Sequence, residues 1–491
     1  MHCGFVVKVD KLRKHENADK LQIATFFGND TIVSLNVKMG DVGVYFPSDL
    51  QLSSEYCEKN NLVRKKDENG NEIGGYLDPD KRNIKAIKLR GEKSDGLFMP
   101  LSSLDYCFVE FEDNPNVEIT EFSVGEQITV VNGHEICKKY IPKKQNRVGG
   151  YSSGNHTRKT KISYAPLFAE HSDTEQLAYN LGAFKVGDEL EVTLKMHGTS
   201  QRTAHLPIFS GYKKRNLLQV LKRLPKEITY SDNYVSGTRR VVMEDFDGKN
   251  SFYGSNAFRK PHHDAFVGKL NKGETVYYEV VGFTDTGAPI MGRGNNEKLG
   301  KEFVKQYGKE TTFSYGCSPT GYVESFGVDA TGQYAIREEL PVSDVYVYRM
   351  TLTNKDGFVV EYSPDFMRYR CEQMGVKTVP VFGKAIISSD RIHMIAPDGY
   401  DHDYMIKDGD IGEAIMRMAE DYCDGTDPVG KTHIKEGIVV RVLNRPRFCA
   451  YKHKNFSFKV LEGLIKDTAD APDMEEAQEV MEESSEMPSE A

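Results

Sequence analysis

Apolar and polar residues alternate through much of this chain, which is the pattern of strands that bury one face. In the first 140 residues, the alternating segments are separated by turn signals such as Gly28-Asn29-Asp30. The predicted strands span 4–9, 21–27, 31–35, 42–46 and 84–89. The N-terminal part is therefore predicted to be rich in β-structure.

Five short strands in this length are typical of an oligonucleotide/oligosaccharide-binding (OB) barrel. The polar stretch 53–82 would then be a surface insertion in the barrel. The segment HENADKL at 15–21 is similar to the H-P-N-A-D-K-L turn of tRNA-binding OB domains, with Glu16 in place of proline. This similarity supports the fold, and the side chains themselves suit a polar turn.

From about residue 163 the pattern changes, and segments of helical period alternate with strands rich in Val, Tyr and Phe. Helices are predicted at 174–184, 216–224, 298–307, 363–374 and 410–422. Ser363 followed by Pro364 is a strong helix start, since serine caps the first turn and proline fits its geometry. The fold class is therefore predicted to be α+β, with an OB-like β-barrel preceding antiparallel sheets flanked by helices.

Composition divides the chain into four parts: an OB-like module (1–140), a basic Gly/Ser linker (141–162), a main domain (163–466) and an acidic tail (467–491). The tail holds ten acidic residues and no Lys or Arg, so it is predicted to be disordered. Removing those ten charges from the net charge of −9 leaves the rest at +1, which permits nucleic-acid binding. The lysines, arginines and tyrosines around the linker suit either phosphate contact or a solvated connection.

The eight cysteines are scattered without a C-x-x-C pair, which argues against zinc ribbons and redox dithiols. No apolar run reaches membrane-spanning length, and the N-terminus lacks a signal-peptide pattern. We therefore expect a cytoplasmic protein in a reducing compartment, without a membrane partner.

The sequence KMHGTS at 195–200 is the most informative segment for chemistry. In the strand before it, Leu190, Val192 and Leu194 alternate with polar residues, so Lys195 is predicted to point away from the apolar packing. Gly198 allows close approach of the backbone to a ligand. A lysine in this position suits an amine nucleophile.

These residues resemble motif I (K-x-D/H-G) of the covalent nucleotidyltransferases, which include polynucleotide ligases and RNA capping enzymes. Other motifs of that superfamily follow in order. Glu279, within VYYEVVG, is similar to motif III, where a glutamate contacts the ribose. Tyr348, with Tyr346 in reserve, is similar to the motif IIIa aromatic that stacks on the purine. Glu436, within KEGIVVR, is similar to motif IV, where the carboxylate serves a divalent metal.

Two further segments fit the same order. The sequence SGTRR at 236–240 is similar to motif Ia, in which Arg239 would contact phosphates or the nucleic-acid strand. The sequence FSFKVL at 456–461 is similar to motif V and is predicted to be a strand that turns Lys459 toward the α-phosphate. The family often has K-x-K in motif V, and Ser457 occupies the first position here, so Lys452 and Lys454 are candidates to substitute.

The resemblance covers nearly all of 163–466, and the chain looks like the RNA ligases with an N-terminal OB domain known from Deinococcus and Naegleria. It implies an ATP-grasp-like nucleotidyltransferase domain and ATP-dependent RNA ligation through lysyl-AMP and AMP-RNA, with Mg²⁺ or Mn²⁺. The implied nucleophile is Lys195, and the metal ligand is Glu436. The implied nucleotide-binding residues are His197, Gly198, Arg239, Glu279, Tyr348 and Lys459.

Three alternatives remain open at this point. A capping-type guanylyltransferase shares the lysine chemistry, but that class carries an OB domain after motif V. A non-catalytic RNA-binding protein on the same fold would not need Lys195, Glu279, Glu436 and Lys459 together. RNA, as a nicked duplex, broken ends or an RNA/DNA hybrid, is the expected partner, and DNA joining is a further option. His197, where most of the superfamily has Asp, is taken as a marker of one RNA-ligase branch.

Overall fold

The computed structural model describes residues 2–66, 72–111, 122–141, 163–172, 174–216, 221, 226–243, 246, 255–328 and 334–465. The acidic tail, and most of the linker and of the predicted helix 216–224, lie outside these ranges. The described chain is of the α+β class, as predicted, and consists mainly of antiparallel sheets. The boundaries of the four predicted parts stay predictions.

The N-terminal strands form small sheets that pair only with one another within the described residues. Each sheet is given in hydrogen-bonding order: Leu97–Pro100, Val42–Phe46, Gly4–Lys8 and Gln127–Ile128; Leu12–Lys14, Leu21–Phe26 and Asn29–Ser34; Ile87–Leu89 with Glu92–Ser94; Val130–Val131 with His134–Glu135; Leu50–Leu52 with Cys137–Lys139; Arg64–Lys66 with Glu72–Gly74.

The strand Gly4–Lys8 is buried on both faces. Val6 packs in one apolar cluster with Val44, while Phe5 packs in another with Tyr45. The five predicted N-terminal strands are present, the fifth shortened to Ile87–Leu89. No sheet of the described residues closes on itself, so the predicted OB barrel is not confirmed.

The C-terminal part contains two seven-stranded sheets. Sheet A has the order Glu175–Gln176, Ala450–Lys454, Gly437–Val442, Glu189–Lys195, Val381–Ile387, Arg391–Ile395, Asp401–Met405. Sheet B has the order Val242–Met243, Ile228–Gly237, Thr199–Tyr212, Glu274–Gly282, Ser343–Thr353, Val359–Glu361, with Lys377–Thr378 also paired to Ser343–Thr353. Two two-stranded sheets accompany them, Gly294–Asn295 with Glu310–Thr311 and Tyr322–Gly327 with Tyr334–Glu339.

The two sheets are joined where the chain runs from the end of Glu189–Lys195 in sheet A to the start of Thr199–Tyr212 in sheet B. A shared core lies beneath this junction and includes the buried side chains of Leu194, Met196 and Tyr278. Residues 195–200 are therefore held between two sheets.

The described α-helices are short and lie against the sheets. They are α1 (Ser54–Lys59), α2 (Lys260–Asp264), α3 (Lys301–Tyr307), α4 (Pro364–Met374), α5 (Ile411–Cys423) and α6 (Phe456–Ile465). The 3₁₀ segments are Leu101–Phe111, Leu177–Tyr179, Leu181–Ala183, Ala257–Arg259 and Asn296–Leu299. None of the described helices is both long and apolar enough to span a membrane.

Three of the five predicted helices are present, one of them with an interruption. Ser363 caps α4, since its side chain accepts a hydrogen bond from the Phe366 amide, and Asp410 caps α5 through the Glu413 amide. The helix predicted at 298–307 is interrupted at Gly300, whose φ of +101° lies outside helical backbone.

Two predicted elements are wrong. The segment 174–184 is a short strand, Glu175–Gln176, followed by two 3₁₀ turns, because Tyr179 turns onto the Phe5 ring with centroids 4.8 Å apart. The motif V segment is the helix α6, not a strand, because the Asn455 side chain accepts from the Phe458 amide and starts a helix.

The N-terminal and C-terminal parts meet along a mixed interface. Phe5 packs on Tyr179, and Lys459 on α6 lies 2.6 Å from a carboxylate oxygen of Asp95. Lys93 lies over the Phe456 ring, 5.3 Å from its centroid. Both apolar and ionic contacts thus join the N-terminal sheets to the part that carries residues 195–200.

Candidate active site

Lys195 ends a strand whose alternation is as predicted. Leu190, Val192 and Leu194 are buried in the apolar cores, while Lys195 lines a pocket on the opposite face. Lys195 pairs in register with Gly437 on the neighbouring strand. This register brings the residue before Gly437 next to the lysine amine.

That residue is Glu436, and its carboxylate forms an ion pair with Lys195. The distance from Lys195 Nζ to Glu436 Oε1 is 2.7 Å, and the Glu436 side chain is 3% exposed. Burial alone would raise the pKa of Glu436, but the charge of Lys195 and the contact with His197 hold this pKa well below its usual range. Glu436 therefore stays ionised although it is buried.

His197 and Gly198 fix the turn that follows the lysine. The His197 amide donates to the Tyr315 hydroxyl at 2.7 Å, and its Nδ1 lies 3.5 Å from Glu436 Oε2. A Cβ on Gly198 would lie 2.4 Å from the Val280 carbonyl oxygen, so only glycine fits here. This close approach brings the turn against the strand that carries Glu279.

Glu279 lies on that strand, Glu274–Gly282, and lines the same pocket as Lys195. Its Oε2 accepts a hydrogen bond of 3.2 Å from Ser200 Oγ. Ser200 also pairs in register with Glu279 across sheet B. The carboxylate is thus fixed at the pocket wall by the residues just after Lys195.

An apolar slot lies beside these charged groups. Tyr348 lines the pocket, and so does Val439, which pairs in register with Thr193. Tyr346 is buried in the core and does not line this pocket, which favours Tyr348 over its reserve. Burial raises the pKa of the Tyr348 hydroxyl, which stays protonated.

Arg239 also lines the pocket, on a loop that a buried arginine supports. Arg202 is 1% exposed and donates to the carbonyl oxygens of Thr238 at 2.8 Å and Arg240 at 3.3 Å. The His171 amide donates to the Arg239 carbonyl at 3.0 Å. Burial and the charge of Arg239 lower the pKa of His171 well below its usual value, so its ring is neutral at pH 7.

Lys459 does not line this pocket, contrary to the expectation from the motif V match. Because 456–461 is helical, Lys459 turns toward the N-terminal part, where it donates to Asp95 and lines a neighbouring polar cavity that shares Thr174 and Arg239 with the Lys195 pocket. Lys452, on the strand Ala450–Lys454, lines both that cavity and the Lys195 pocket. Lys454 Nζ lies 3.6 Å from Glu436 Oε1.

Lys452 and Lys454, the two candidates to substitute in motif V, form a pair two residues apart on the strand Ala450–Lys454. The alternating sequence AYKHK at 450–454 was the available signal for it. Arg259 was missed altogether: it is 1% exposed and donates to the Ser200 carbonyl and to Thr199 Oγ1, at 3.1 and 2.7 Å. Nothing in the sequence around Arg259 distinguishes it.

No group of three or more His, Cys, Asp or Glu side chains suited to a metal occurs in the described ranges. Within the same ranges, Glu436 Oε2 is buried and makes no hydrogen bond. A single carboxylate suits Mg²⁺ or Mn²⁺ that takes its remaining ligands from water and phosphate oxygens.

The site thus combines a buried lysine–glutamate pair, a second glutamate on the facing sheet and an aromatic side chain in the same pocket as the lysine. Searches of protein-family models and of curated proteins give no match. Two solved structures are similar over 93% of this chain and 98% of theirs, each with a TM-score of 0.50.

These two structures are Naegleria gruberi RNA ligase as a lysine-to-alanine mutant with ATP and Mn (15% identity) and as a lysine-to-methionine mutant with AMP and Mn (16% identity). At this identity the similarity is one of fold. The chain thus has the fold of an RNA ligase of this type, in agreement with the resemblance drawn from its motifs.

Proposed function

We propose that this protein is an ATP-dependent RNA ligase that works through a covalent lysyl-AMP intermediate. The observation that carries the proposal is the 2.7 Å pair between buried Glu436 and Lys195, which lines a pocket together with Tyr348 and Val439. The similarity to a ligase fold with bound ATP or AMP and Mn supports it.

In the first step, Lys195 loses a proton to solvent and its amine attacks the α-phosphorus of ATP, so that a P–N bond forms and pyrophosphate leaves. Tyr348 and Val439 would hold the adenine ring between them, and Glu279 would accept from the ribose hydroxyls. Arg239 and Lys452 would neutralise charge on the phosphoryl oxygens as it develops. In this assignment Lys452 replaces Lys459, while His197 and Gly198 shape the turn that presents the nucleophile.

Glu436 would hold Mg²⁺ or Mn²⁺ when ATP binds, with phosphate oxygens and water as the other ligands. The metal would supply Lewis-acid stabilisation of phosphoryl charge. Since Glu436 also pairs with Lys195, this ion pair must open before the amine can attack. Lys454, 3.6 Å from the same carboxylate, offers a second cation that keeps Glu436 ionised when the pair opens.

In the later steps, AMP passes from Lys195 to the 5′-phosphate of an RNA, and a 3′-hydroxyl then displaces AMP to form the phosphodiester. Each step is an in-line displacement at phosphorus, so one set of cations serves all three. We propose that the N-terminal module acts as an OB-type clamp on the RNA near a nick. A nicked duplex or an RNA/DNA hybrid would fit such a clamp.

The test is joining of a nicked RNA duplex together with transfer of label from α-³²P-ATP to the protein, using the wild type, Lys195→Arg and Glu436→Gln. The wild type should be labelled and should join RNA, and Lys195→Arg should do neither. Glu436→Gln should reduce labelling by about 100-fold or more. Label from GTP but not from ATP would reject the proposal in favour of a guanylyltransferase.

A further inference from the structure

The end of the pocket away from Lys195 is built from charged side chains. Glu191, Thr193 and Lys195 occupy one face of the same strand and all line the pocket. Glu191 is 2% exposed, and its Oε2 accepts a hydrogen bond of 2.8 Å from Arg368 Nη2 on α4. A buried carboxylate is costly unless it has a partner, and Arg368 supplies one here.

The register of sheet A fixes where this carboxylate lies relative to the slot. Thr193 pairs with Val439, which lines the slot. Glu191 lies two residues further along the strand from Lys195 and pairs with Arg441. Four residues of strand separate Glu191 from Lys195 by about 13 Å. This distance is of the order of the length of a nucleoside 5′-phosphate, so a base held against Val439 would direct its outer edge at Glu191.

The ion pair leaves hydrogen-bonding capacity on that side. Within the described part of the chain, Glu191 accepts the one hydrogen bond from Arg368, at Oε2. Arg368 is also held by Asp365 Oδ1 at 2.5 Å, which keeps the guanidinium in position. An ionised carboxylate can only accept, so Glu191 Oε1 matches a hydrogen-bond donor on the bound base.

We infer that Glu191, held by Arg368, determines the base specificity of this pocket by accepting a hydrogen bond from the 6-amino group of adenine. A purine with a 6-oxo group would direct an acceptor oxygen at the carboxylate and would be rejected. This inference rests on the proposed function for its nucleotide, and it predicts a preference for ATP over GTP that none of the six motifs addresses.

The test is the equilibrium binding of AMP and of IMP, which differ in the 6-substituent, measured calorimetrically without metal so that no chemistry occurs. The wild type should bind AMP at least about tenfold more tightly than IMP. In Glu191→Gln, Arg368 donates to the amide oxygen, so the amide NH₂ faces the base. The Glu191→Gln variant should then bind AMP and IMP about equally, or bind IMP more tightly.

Glu189→Gln is the matched control, since Glu189 begins the same strand, is exposed and does not line the pocket. It should keep the wild-type preference. Glu191→Ala, checked for folding by circular dichroism, should also lose the preference and serves if the glutamine variant does not fold. An unchanged AMP/IMP ratio in a folded Glu191 variant, or no nucleotide binding by the wild type, would overturn the inference.

This measurement separates the two claims. Selective AMP binding that depends on Glu191, without any label transfer from ATP, would support the base-reading role and contradict the ligase proposal. Label transfer from ATP with an unchanged AMP/IMP ratio in the Glu191 variants would do the reverse.

Discussion

The charged residues of the site are largely buried, and burial favours the formation of ion pairs between them. Glu436 is 3% exposed in its side chain, and its Oε1 lies 2.7 Å from Lys195 Nζ and 3.6 Å from Lys454 Nζ, which also pairs with Glu462 at 2.8 Å. In a dry environment such contacts are strong, and removing one partner leaves a costly unpaired charge. The chemistry of the site therefore depends on which cations reach the pocket and which are committed elsewhere.

Lys452 and Lys459 provide a direct comparison of two lysines. Lys452→Ala should slow formation of the protein–AMP adduct by about 100-fold, because it removes a cation that lines the Lys195 pocket. Lys459→Met should cause a smaller loss, because Lys459 is paired with Asp95. Single-turnover labelling rates of both folded variants would check this, and the reverse ranking would restore the original motif V assignment.

His262 should make the protein less stable in mild acid. Burial lowers the pKa of His262 to about 4, from an ordinary value of 6.5, and its Nε2 lies 2.8 Å from Ser343 Oγ. Between these two values the unfolded chain binds the proton and the folded chain does not, so stability falls as pH drops. From pH 7 to pH 5 this group should cost about 2 kcal/mol.

The measurement is urea unfolding of the wild type and of His262→Asn at both pH values. Asparagine keeps a polar partner for Ser343 but does not titrate. The variant should therefore lose less stability on acidification than the wild type, by about 2 kcal/mol. Equal losses in the two proteins would show that His262 is protonated in the folded state.

Secondary structure was predictable from sequence where a single periodicity was present. The segment 189–195 alternates strictly and is a strand, and Ser363 and Asp410 precede helices. The segment 456–461 fits both periods, since Phe458 and Leu461 lie three residues apart and are both fully buried. In this segment the Asn455 cap starts a helix. The alternation of apolar and polar residues alone does not predict this outcome.

The same ambiguity limited the prediction of the site. Lys195, Glu279, Arg239 and Tyr348 line one pocket, as the order of the motifs suggested. Lys459 does not line this pocket. Its predicted direction assumed that 456–461 is a strand, whereas the segment is a helix. The supporting arginines were not predictable, since their roles depend on pairing across sheets that the sequence does not specify.

Asn455 should be important for helix α6. Its Oδ1 accepts from the Phe458 amide at 3.2 Å, and its Nδ2 donates to the Cys423 carbonyl. Asn455→Ala should lower the free energy of unfolding by about 2 kcal/mol, since it removes a cap and leaves a buried carbonyl unpaired. Asn455→Ser, which keeps a cap acceptor and places no charge beside Asp424, should lose less; equal losses in chemical unfolding would contradict the capping role.

In the whole molecule, the N-terminal sheets pack on the part that carries the site. The pair between Asp95 and Lys459 crosses this interface, with side chains 5% and 18% exposed. Tyr179, in the segment wrongly predicted as helix, packs on Phe5 at the same interface. The helix that follows Lys452 and Lys454 is thus tied to the N-terminal module, which connects that module to the site.

Breaking this pair should destabilise the folded chain. Asp95→Ala and Lys459→Met should each lower the free energy of unfolding by about 3 kcal/mol, because each leaves a buried charge without its partner. The double variant should lose clearly less than the sum. Chemical unfolding of the four proteins provides this cycle, and additive losses would show that the two residues do not interact.

The most direct test of the central claim is to locate the covalent nucleotide. The wild type is incubated with ATP and Mg²⁺ and digested, and the peptide that carries AMP is identified by mass spectrometry. We expect AMP on Lys195 alone, with no adduct in Lys195→Ala. AMP on Lys452 or Lys454, or RNA joining by a protein that never carries AMP, would contradict it.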